Sequence, residues 1–470
     1  MELNELWKQI IAGNAGMSER EFIQHQINTF KNSDRYKDIK TGREYYEGIQ
    51  DIRFKKRVVI DENGKEQVIK GAPNNKIVNN KFDDLVDQKV NFLMAKPIEV
   101  KGVEGLEDIL GTKWQRKIKY VAVDSLIGGC GYLHPYITDS GELDFKRLRP
   151  EQVIPFWADD EHEELDAFIY MYEVEVYDTI FKKSTITKVE FYTPNGVSYW
   201  IWKGFNLTPD DKPKASYLQI DGKPYNWQQV PLIAFKANVI EQPLIERVKS
   251  LQDALNSLIS NFQDCMEEDI RSTILVIKNY DGENLGNFKK NLAAYGVIKV
   301  RDRDGSGGGV DKLTIEVNAA NYDLLIKLLK DAIIENGRGF DAKDERMGNQ
   351  PNQMNIHSMY SDIELDANDM ELEFQASFQK MMEFVSAYLG VKGKTLQQAV
   401  EFIFNRDLPI NEADSINNCR NSVGILSTET IVANHPWTKN TDEEVARLKA
   451  EQQEQLDYVM GMGGNGEQQQ

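Results

Sequence analysis

Positive charge is scarce in this 470-residue chain: 56 Lys and Arg stand against 75 Asp and Glu, a net charge of −19. A surface that holds phosphates by releasing counterions is basic, so this balance excludes a conventional DNA-gripping face. Cysteine is scarcer still. Cys130, Cys265 and Cys419 are too few and too scattered for a disulfide framework or a zinc site, and a reducing, cytosolic place of synthesis is expected. The five histidines, His25, His134, His162, His357 and His435, stand in no metal-ligand spacing. No nucleophile elbow, Walker motif or paired-carboxylate arrangement is present, so no catalytic residue, metal or cofactor is assigned. Gly393-Lys394-Thr395 has the end of a phosphate loop, but Tyr388 stands where the first glycine belongs. No apolar run reaches membrane-spanning length, and Met1 to Glu5 lacks the basic start of a signal peptide. An enzyme therefore has no positive support.

Long apolar periodicities are what the chain does have. Leu244, Val248, Leu251, Leu255, Leu258 and Phe262 recur at helical steps and predict a helix from Pro243 to Glu268, roughly 39 Å long at 1.5 Å per residue. A second helix is expected from Ala319 to Phe340. There Leu324, Leu325, Ile326, Leu328, Leu329, Ile333 and Ile334 leave only a thin polar stripe of Asp323, Lys327, Lys330, Asp331 and Glu335. A helix apolar nearly all round is buried on several sides, either in a large core or between neighbouring copies of the chain.

The next stretch is unusual in the opposite way. Met347 to Ser361 contains no Asp, Glu, Lys or Arg, where the chain's 28% charged content would place about four. A loop of Asn, Gln and Met around Pro351 suits contact with a moving ligand without gripping it. Ser361 and Glu364 have capping-box spacing, and Asp362, Asp366 and Asp369 suit a helix start, with an apolar face continuing from Met370 to Tyr388.

This order of long helix, small insert, returning helix, uncharged loop and third helix resembles the portal proteins of tailed bacteriophages. The similar branch is the one common in phages and prophages of Gram-positive hosts. Supporting motifs are Tyr45-Tyr46-Glu47-Gly48 with Asp51-Ile52, Asn74 to Asn80, Asp87 to Leu93 with Lys96-Pro97, and Val230 to Phe235. The resemblance implies an α+β portal fold assembled as a ring: an outer α+β wing at 1–240 and a stem helix at 241–270, a small α/β clip at 271–318 and a returning stem helix at 319–340. It continues with a channel loop at 341–361, a long helix at 362–390 and a helical crown at 391–460; residues 461–470 read as a disordered tail. The implied function is a ring of twelve subunits at one capsid vertex, through which double-stranded DNA is packaged and ejected. Implied partners are terminase, major capsid and scaffold proteins and a head–tail adaptor, with no membrane, in the virion and, during assembly, the host cytoplasm. Another structural virion protein and an enzyme acting on DNA stay open as alternatives.

Site residues follow. Met347, Asn349, Gln350, Asn352, Gln353, Met354 and Asn355 are the candidate DNA-channel loop. Lys327, Lys330, Lys343 and Arg346 are candidate channel or intersubunit cations, and Lys289, Lys290, Arg301 and Arg303 candidate docking residues of the clip, whose Lys and Arg exceed its Asp and Glu by eight to six. In the outer region helices are expected at Glu19–Phe30, Phe82–Met94 and Trp114–Ile127. Hairpin turns are expected at Asn63-Gly64, Asp139-Ser140-Gly141, Asn195-Gly196 and Asp221-Gly222. Cys130, between two glycines, reads as a small buried residue and not a reactive thiol. The clip should contain strands at Thr273–Lys278, Val297–Arg301 and Lys312–Val317, a helix at Leu285–Ala294, and a glycine-rich tip at 302–309. Leu396 to Phe404 reads as an amphipathic helix, and Asp442-Glu443-Glu444 as the acidic start of another.

Overall fold

The computed structural model describes residues 17–60, 64–68, 72–102, 105–179, 182–204, 206–212, 214–220, 223–227, 229–271, 274–278, 309–313, 319–341, 353–395, 399–406, 411–438 and 440–463. Two helices open it, α1 (Glu19–Asn32) and α2 (Asp34–Tyr46). Ser18 Oγ accepts the Glu21 N–H while the Glu21 carboxylate accepts the Ser18 N–H, a reciprocal cap that fixes the start of α1. Helix α2 is not anticipated by the sequence reading, because only Ile39, Gly42 and Tyr45 of it are buried. A ribbon, β1 (Val58–Ile60) with β2 (Glu66–Val68), precedes α3 (Lys81–Leu93), β3 (Glu99–Lys101), α4 (Leu106–Leu110) and α5 (Trp114–Gly128).

The outer sheet is an antiparallel meander of β6 (Val153–Trp157), β7 (Leu165–Thr179), β8 (Lys182–Thr193), β9 (Gly196–Lys203) and β10 (Asn206–Pro209). Alternation sends its side chains to two cores. Ile169, Met171, Val189 and Phe191 meet Phe22, Ile23 and Ile27 of α1, while Phe168, Tyr170 and Tyr192 meet Cys130, Tyr132, Val230 and Leu232. The latter belong to or flank a second sheet in the order β13 (Ile233–Lys236), β4 (Cys130–Ile137), β5 (Leu143–Leu148). Cys130 is fully buried, and burial pushes its thiol up, as a packing residue requires. Hairpins fall at the expected turns 139–141 and 195–196, with Gly141 at φ 78° and Gly196 at φ 122° where a side chain is disfavoured, while Asn63 of the expected Asn63-Gly64 turn lies outside the described residues. Residues 221–222 lie outside the described residues, though Ile220 and Lys223 pair across them in a ribbon of β11 (Leu218–Ile220) and β12 (Lys223–Tyr225).

The long helices are α6 (Ile245–Arg271), α7 (Ala319–Asn336) and α8 (Gln353–Val391). Phe262, late in α6, lies on Tyr322, early in α7, with ring centroids 4.7 Å apart, and Arg247, early in α6, meets Arg338, just past α7, on Asp366, so the two helices run antiparallel. Between them β14 (Ile274–Lys278) pairs with β15 (Gly309–Leu313), so the second strand comes earlier than the expected Lys312–Val317. The expected helix Leu285–Ala294, the strand Val297–Arg301 and most of the tip lie outside the described residues.

Four boundaries differ from expectation. Pro243 precedes α6 and is not in its first turn. Helix α7 stops at Asn336, four residues short of Phe340. Gly337 and Gly339 there lie against Leu85 so closely that a Cβ would come within 2.6 and 2.5 Å of it, and Arg338 takes φ 49°. Helix α8 starts at Gln353 and not at Asp362. Ile356, Met359, Tyr360 and Ile363 form a buried helical face, and Ser361 Oγ donates to Ser358 O at 2.9 Å within the helix instead of capping it. Finally, of the expected helix Leu396–Phe404, residues 396–398 lie outside the described residues and 399–404 are not helical, for Glu401–Ile403 forms β16, antiparallel to β3. Phe402 and Phe404 are buried with a half-buried Ile403 between them, the period of a strand, and Phe402 stacks on Phe378 at 4.3 Å.

The chain closes with α9 (Glu412–Asn421), α10 (Thr428–Ala433) and α11 (Thr441–Gly463), the last with Asp442, Glu443 and Glu444 in its first turn. Gly461 to Gly463 are thus helical, contrary to the expected tail; 464–470 lie outside the described residues.

Candidate functional site

Helix α6 has two faces that obey different rules. One is apolar, with Leu244, Val248 and Leu255 buried near it or on it. The other carries Gln252, Asn256, Ser260 and Asp264, polar residues four apart and all buried. Each accepts one backbone N–H from a passing segment: Lys81 to Gln252 at 2.8 Å, Asn79 to Asn256 at 2.9 Å, Ile77 to Ser260 at 3.0 Å and Asn75 to Asp264 at 2.7 Å. Four helical residues rise about 6 Å and two extended residues about 6.6 Å, so the two repeats stay in register over four rungs. The segment's backbone finds partners on a side-chain ladder in place of a neighbouring strand. Gln50, also buried, joins it by accepting from Asn256 and donating to Asn80 Oδ1 at 2.6 Å.

A second network gathers where α3, α6 and the end of α7 meet α8. Asp366 of α8 receives Lys89 Nζ of α3 at 2.7 Å, Arg247 Nη1 of α6 at 3.2 Å and Arg338 Nη1, just past α7, at 2.6 Å. Lys89 Nζ also donates to Arg338 O at 2.9 Å, and Gln88 makes paired bonds to the Phe340 N–H and O. Burial would raise the Asp366 carboxyl, but Lys89, Arg338 and Arg247 outweigh it and hold it below the usual carboxylate range. Side chains from α3, α6 and the residue just past α7 thus share one carboxylate of α8, which ties these elements together.

Helix α7 is the converse case. Leu324, Leu325 and Leu328 are 65%, 46% and 57% exposed, and among its described side chains only Ile333 is fully buried. Lys327 is exposed and Lys330 half-buried on the same helix, and neither forms an ion pair with a described residue. Of the expected loop, Met354 and Asn355 are exposed in the first turn of α8, of which Gln353 is the first residue. Met347, Asn349, Gln350, Asn352, Lys343 and Arg346 lie outside the described residues, as do Lys289, Lys290, Arg301 and Arg303. The described residues therefore bring none of the expected clusters together. The ladder and the Asp366 hub were missed by reading apolar periodicity alone, although the polar step of four along α6 is visible in the sequence.

Among the described residues no group of three His, Cys, Asp or Glu side chains is arranged to hold a metal, and no helix is long and apolar enough to cross a membrane. Against known families, residues 28–458 match the family described as phage portal protein, SPP1 Gp6-like. The chain belongs to the phage portal protein family. Two portal proteins match it along most of their length. That of Clostridium phage phiCD119 is 28% identical over 426 residues, 87% of this chain and 91% of its own. That of Bacillus phage SPP1 is 25% identical over 439 residues, 90% of this chain and 84% of its own. In this portal chain the motif Asn74 to Asn80 is the strap zipped onto α6, and Lys89, within the motif Asp87 to Leu93, holds the hub. Both bear on α6, the strap through Asn256 and Asp264 and the hub through Arg247.

Proposed function

We propose that copies of this chain close into a ring of twelve at one capsid vertex, through which double-stranded DNA is packaged and later ejected. The observation that carries the reading is the row Leu324, Leu325 and Leu328, which a single chain leaves in water on a helix of the stem. Apolar area buried is worth about 25 cal/mol per Å², so neighbouring copies that cover this row gain at every interface of the ring. The net charge of −19 per copy keeps DNA from adhering to the wall. Lys327 and Lys330 supply local positive charge to the bore or to ion pairs between copies.

The neutral residues from Met347 to Asn355 touch passing DNA through Asn, Gln and Met, without sequence preference and weakly enough to let it slide. The region 271–318 is the docking rim for terminase and then for the head–tail adaptor, and the outer region 1–240 meets capsid and scaffold proteins. Assembly takes place in the host cytoplasm and the product is part of the virion. The protein's role is structural, and the work of packaging belongs to the motor.

Electron microscopy of the purified protein tests the assembly: conical rings with an axial hole are expected, and a shell, a sheet or isolated chains would overturn it. For the loop, substituting Asn349→Lys and Asn352→Lys should leave rings intact and slow packaging. Packaging at the unaltered rate would remove the loop from contact with DNA.

A further inference from the structure

The turn between β13 and α6 holds two large apolar side chains out in water. Val239 is 76% and Ile240 74% exposed. The turn is rigid. Asn238 Nδ2 donates to Gln242 O at 3.0 Å and Gln242 N to Asn238 Oδ1 at 2.9 Å, and Ala237 N donates to Gly129 O at 2.9 Å. Next to the exposed pair, Glu241 takes φ 51°, and its carboxylate is clamped by Arg35 at 2.7 Å and His162 at 2.6 Å. His162 is itself left-handed at φ 58° and lies flat on Trp157, centroids 4.8 Å apart. A Cβ on Gly129 would sit 1.8 Å from Glu241 O. Left-handed backbone is strained at a residue other than glycine, and two such residues here meet through one hydrogen bond. Folding stability gains nothing from presenting Val239 and Ile240 to water at that cost. Recognition does.

The complementary surface lies at the same level of the molecule. Ala237, Asn238 and Gln242 line one cavity with Asp366, Asp369 and Met370 of α8, and Val239 and Ile240 share a cleft with Glu373. The side of α8 away from its buried residues Ile363, Ala367, Met370 and Phe374 exposes Leu365, Asn368, Leu372, Ala376 and Gln379. The five side chains of this stripe carry no charge themselves over about 21 Å of helix, and Leu365 and Leu372 are 58% and 71% exposed. The exposed Asp369 borders them on the side of Val239 and Ile240, and Arg406, paired with Glu371, donates to Asn368 between them. Knob and stripe flank the same stretch of α8 about 100° apart around its axis, and both stay exposed, so they do not cover each other within one chain. Nucleic acid is a poor occupant for the knob, because Asp38, Asp160, Glu161, Glu246 and Glu373 surround the cleft it borders. A second copy brings two exposed leucines with the Arg406 cation between them, which suits an apolar knob bordered by an acidic cleft. Two different patches joined in this way make a head-to-tail contact, which closes a ring when repeated by a fixed rotation.

We infer that Val239 and Ile240 of one copy seat on the Leu365–Leu372 stripe of the next copy, an interface that rests on the ring reading above and adds to the leucine row of α7. The test is the full-length double variant Ile240→Cys with Leu372→Cys in a Cys265→Ser background, Cys130 and Cys419 being buried. After treatment with a short bis-maleimide, a ladder of covalent oligomers is expected from the double variant and from neither single one. Rings of normal mass without a ladder would overturn this contact and leave the ring reading intact, whereas a strictly monomeric parent protein would overturn both. As a second arm, Ile240→Asp and Leu372→Asp should each lower the fraction of protein in rings tenfold or more with unchanged monomer circular dichroism. Rings formed at the parent's level by both would equally overturn the contact.

Discussion

Helices α6 and α7 lie side by side, and each inverts what a helix usually does with its surface. Helix α6 takes Gln252, Asn256 and Ser260 completely out of water. Helix α7 leaves Leu324, Leu325 and Leu328 in it. The polar burial is completed within the chain, because every rung of the ladder meets a backbone N–H of the Asn75–Lys81 strap. The apolar exposure has no such completion among the described residues. One helix is therefore completed by its own chain, and under the proposed ring the other is completed by neighbouring copies. The Asp366 hub joins the two, holding Arg247 beside α6 and Arg338 beyond α7 on one carboxylate.

The strongest way to break this contrast is to make α7 self-sufficient in water. Leu325→Asp with Leu328→Asp should reduce ring formation by a hundredfold or more, read by size-exclusion chromatography with light scattering. The monomer's melting should barely move, since substitutions at exposed sites usually stay within about 0.5 kcal/mol. Next in size is the hub. Asp366→Ala strands three cations in a partly buried junction and should cost about 3–5 kcal/mol in chemical denaturation. Asp366 also carries a pH signature. Its folded-state pKa is depressed, so its contribution is present above the unfolded value near 3.9 and is lost as pH falls through the folded value. Acid unfolding below about pH 4 should therefore be less steep in Asp366→Asn.

Smaller effects sharpen the α6 side. Asn256→Ala leaves the Asn79 N–H and the Gln50 carbonyl without their partner and should cost about 2–3 kcal/mol; a loss below about 0.5 kcal/mol would mean that the ladder is decorative. Outside the stem, His134 provides a control that involves neither helix. Burial lowers it to about 4, so between there and about 6.5 the unfolded chain binds a proton that the folded chain does not. Stability should rise by about 3 kcal/mol as pH increases across that window, and His134→Gln should flatten the rise.

What the sequence made legible follows from which signals are local. The apolar step along α6, the hairpin glycines 64, 141 and 196, and the acidic start of α11 each carry their cause within a few residues. Misreadings occurred where a distant partner decides. Glu401–Ile403 is a strand because β3, some three hundred residues earlier, pairs with it and Phe378 receives Phe402. Absence of charge from Met347 to Ser361 looked like loop, yet from Gln353 onward it marks a helix whose Ile356, Met359 and Tyr360 face the core. The family resemblance was legible in Asn74 to Asn80, but its reason was not, because the ladder pairs residues about 180 positions apart and alternates backbone with side chain. Glu241 and His162 had no local signal either, since a left-handed backbone leaves none at a residue other than glycine.

Hydroxyl-radical footprinting of α7 at concentrations on either side of assembly tests the central claim most directly. Oxidation of Leu324, Leu325 and Leu328 should be high in the 53.9 kDa monomer and fall several-fold in the assembled particle, while the exposed Tyr177 on the outer sheet keeps its reactivity. Equal oxidation of the three leucines in both states would contradict it.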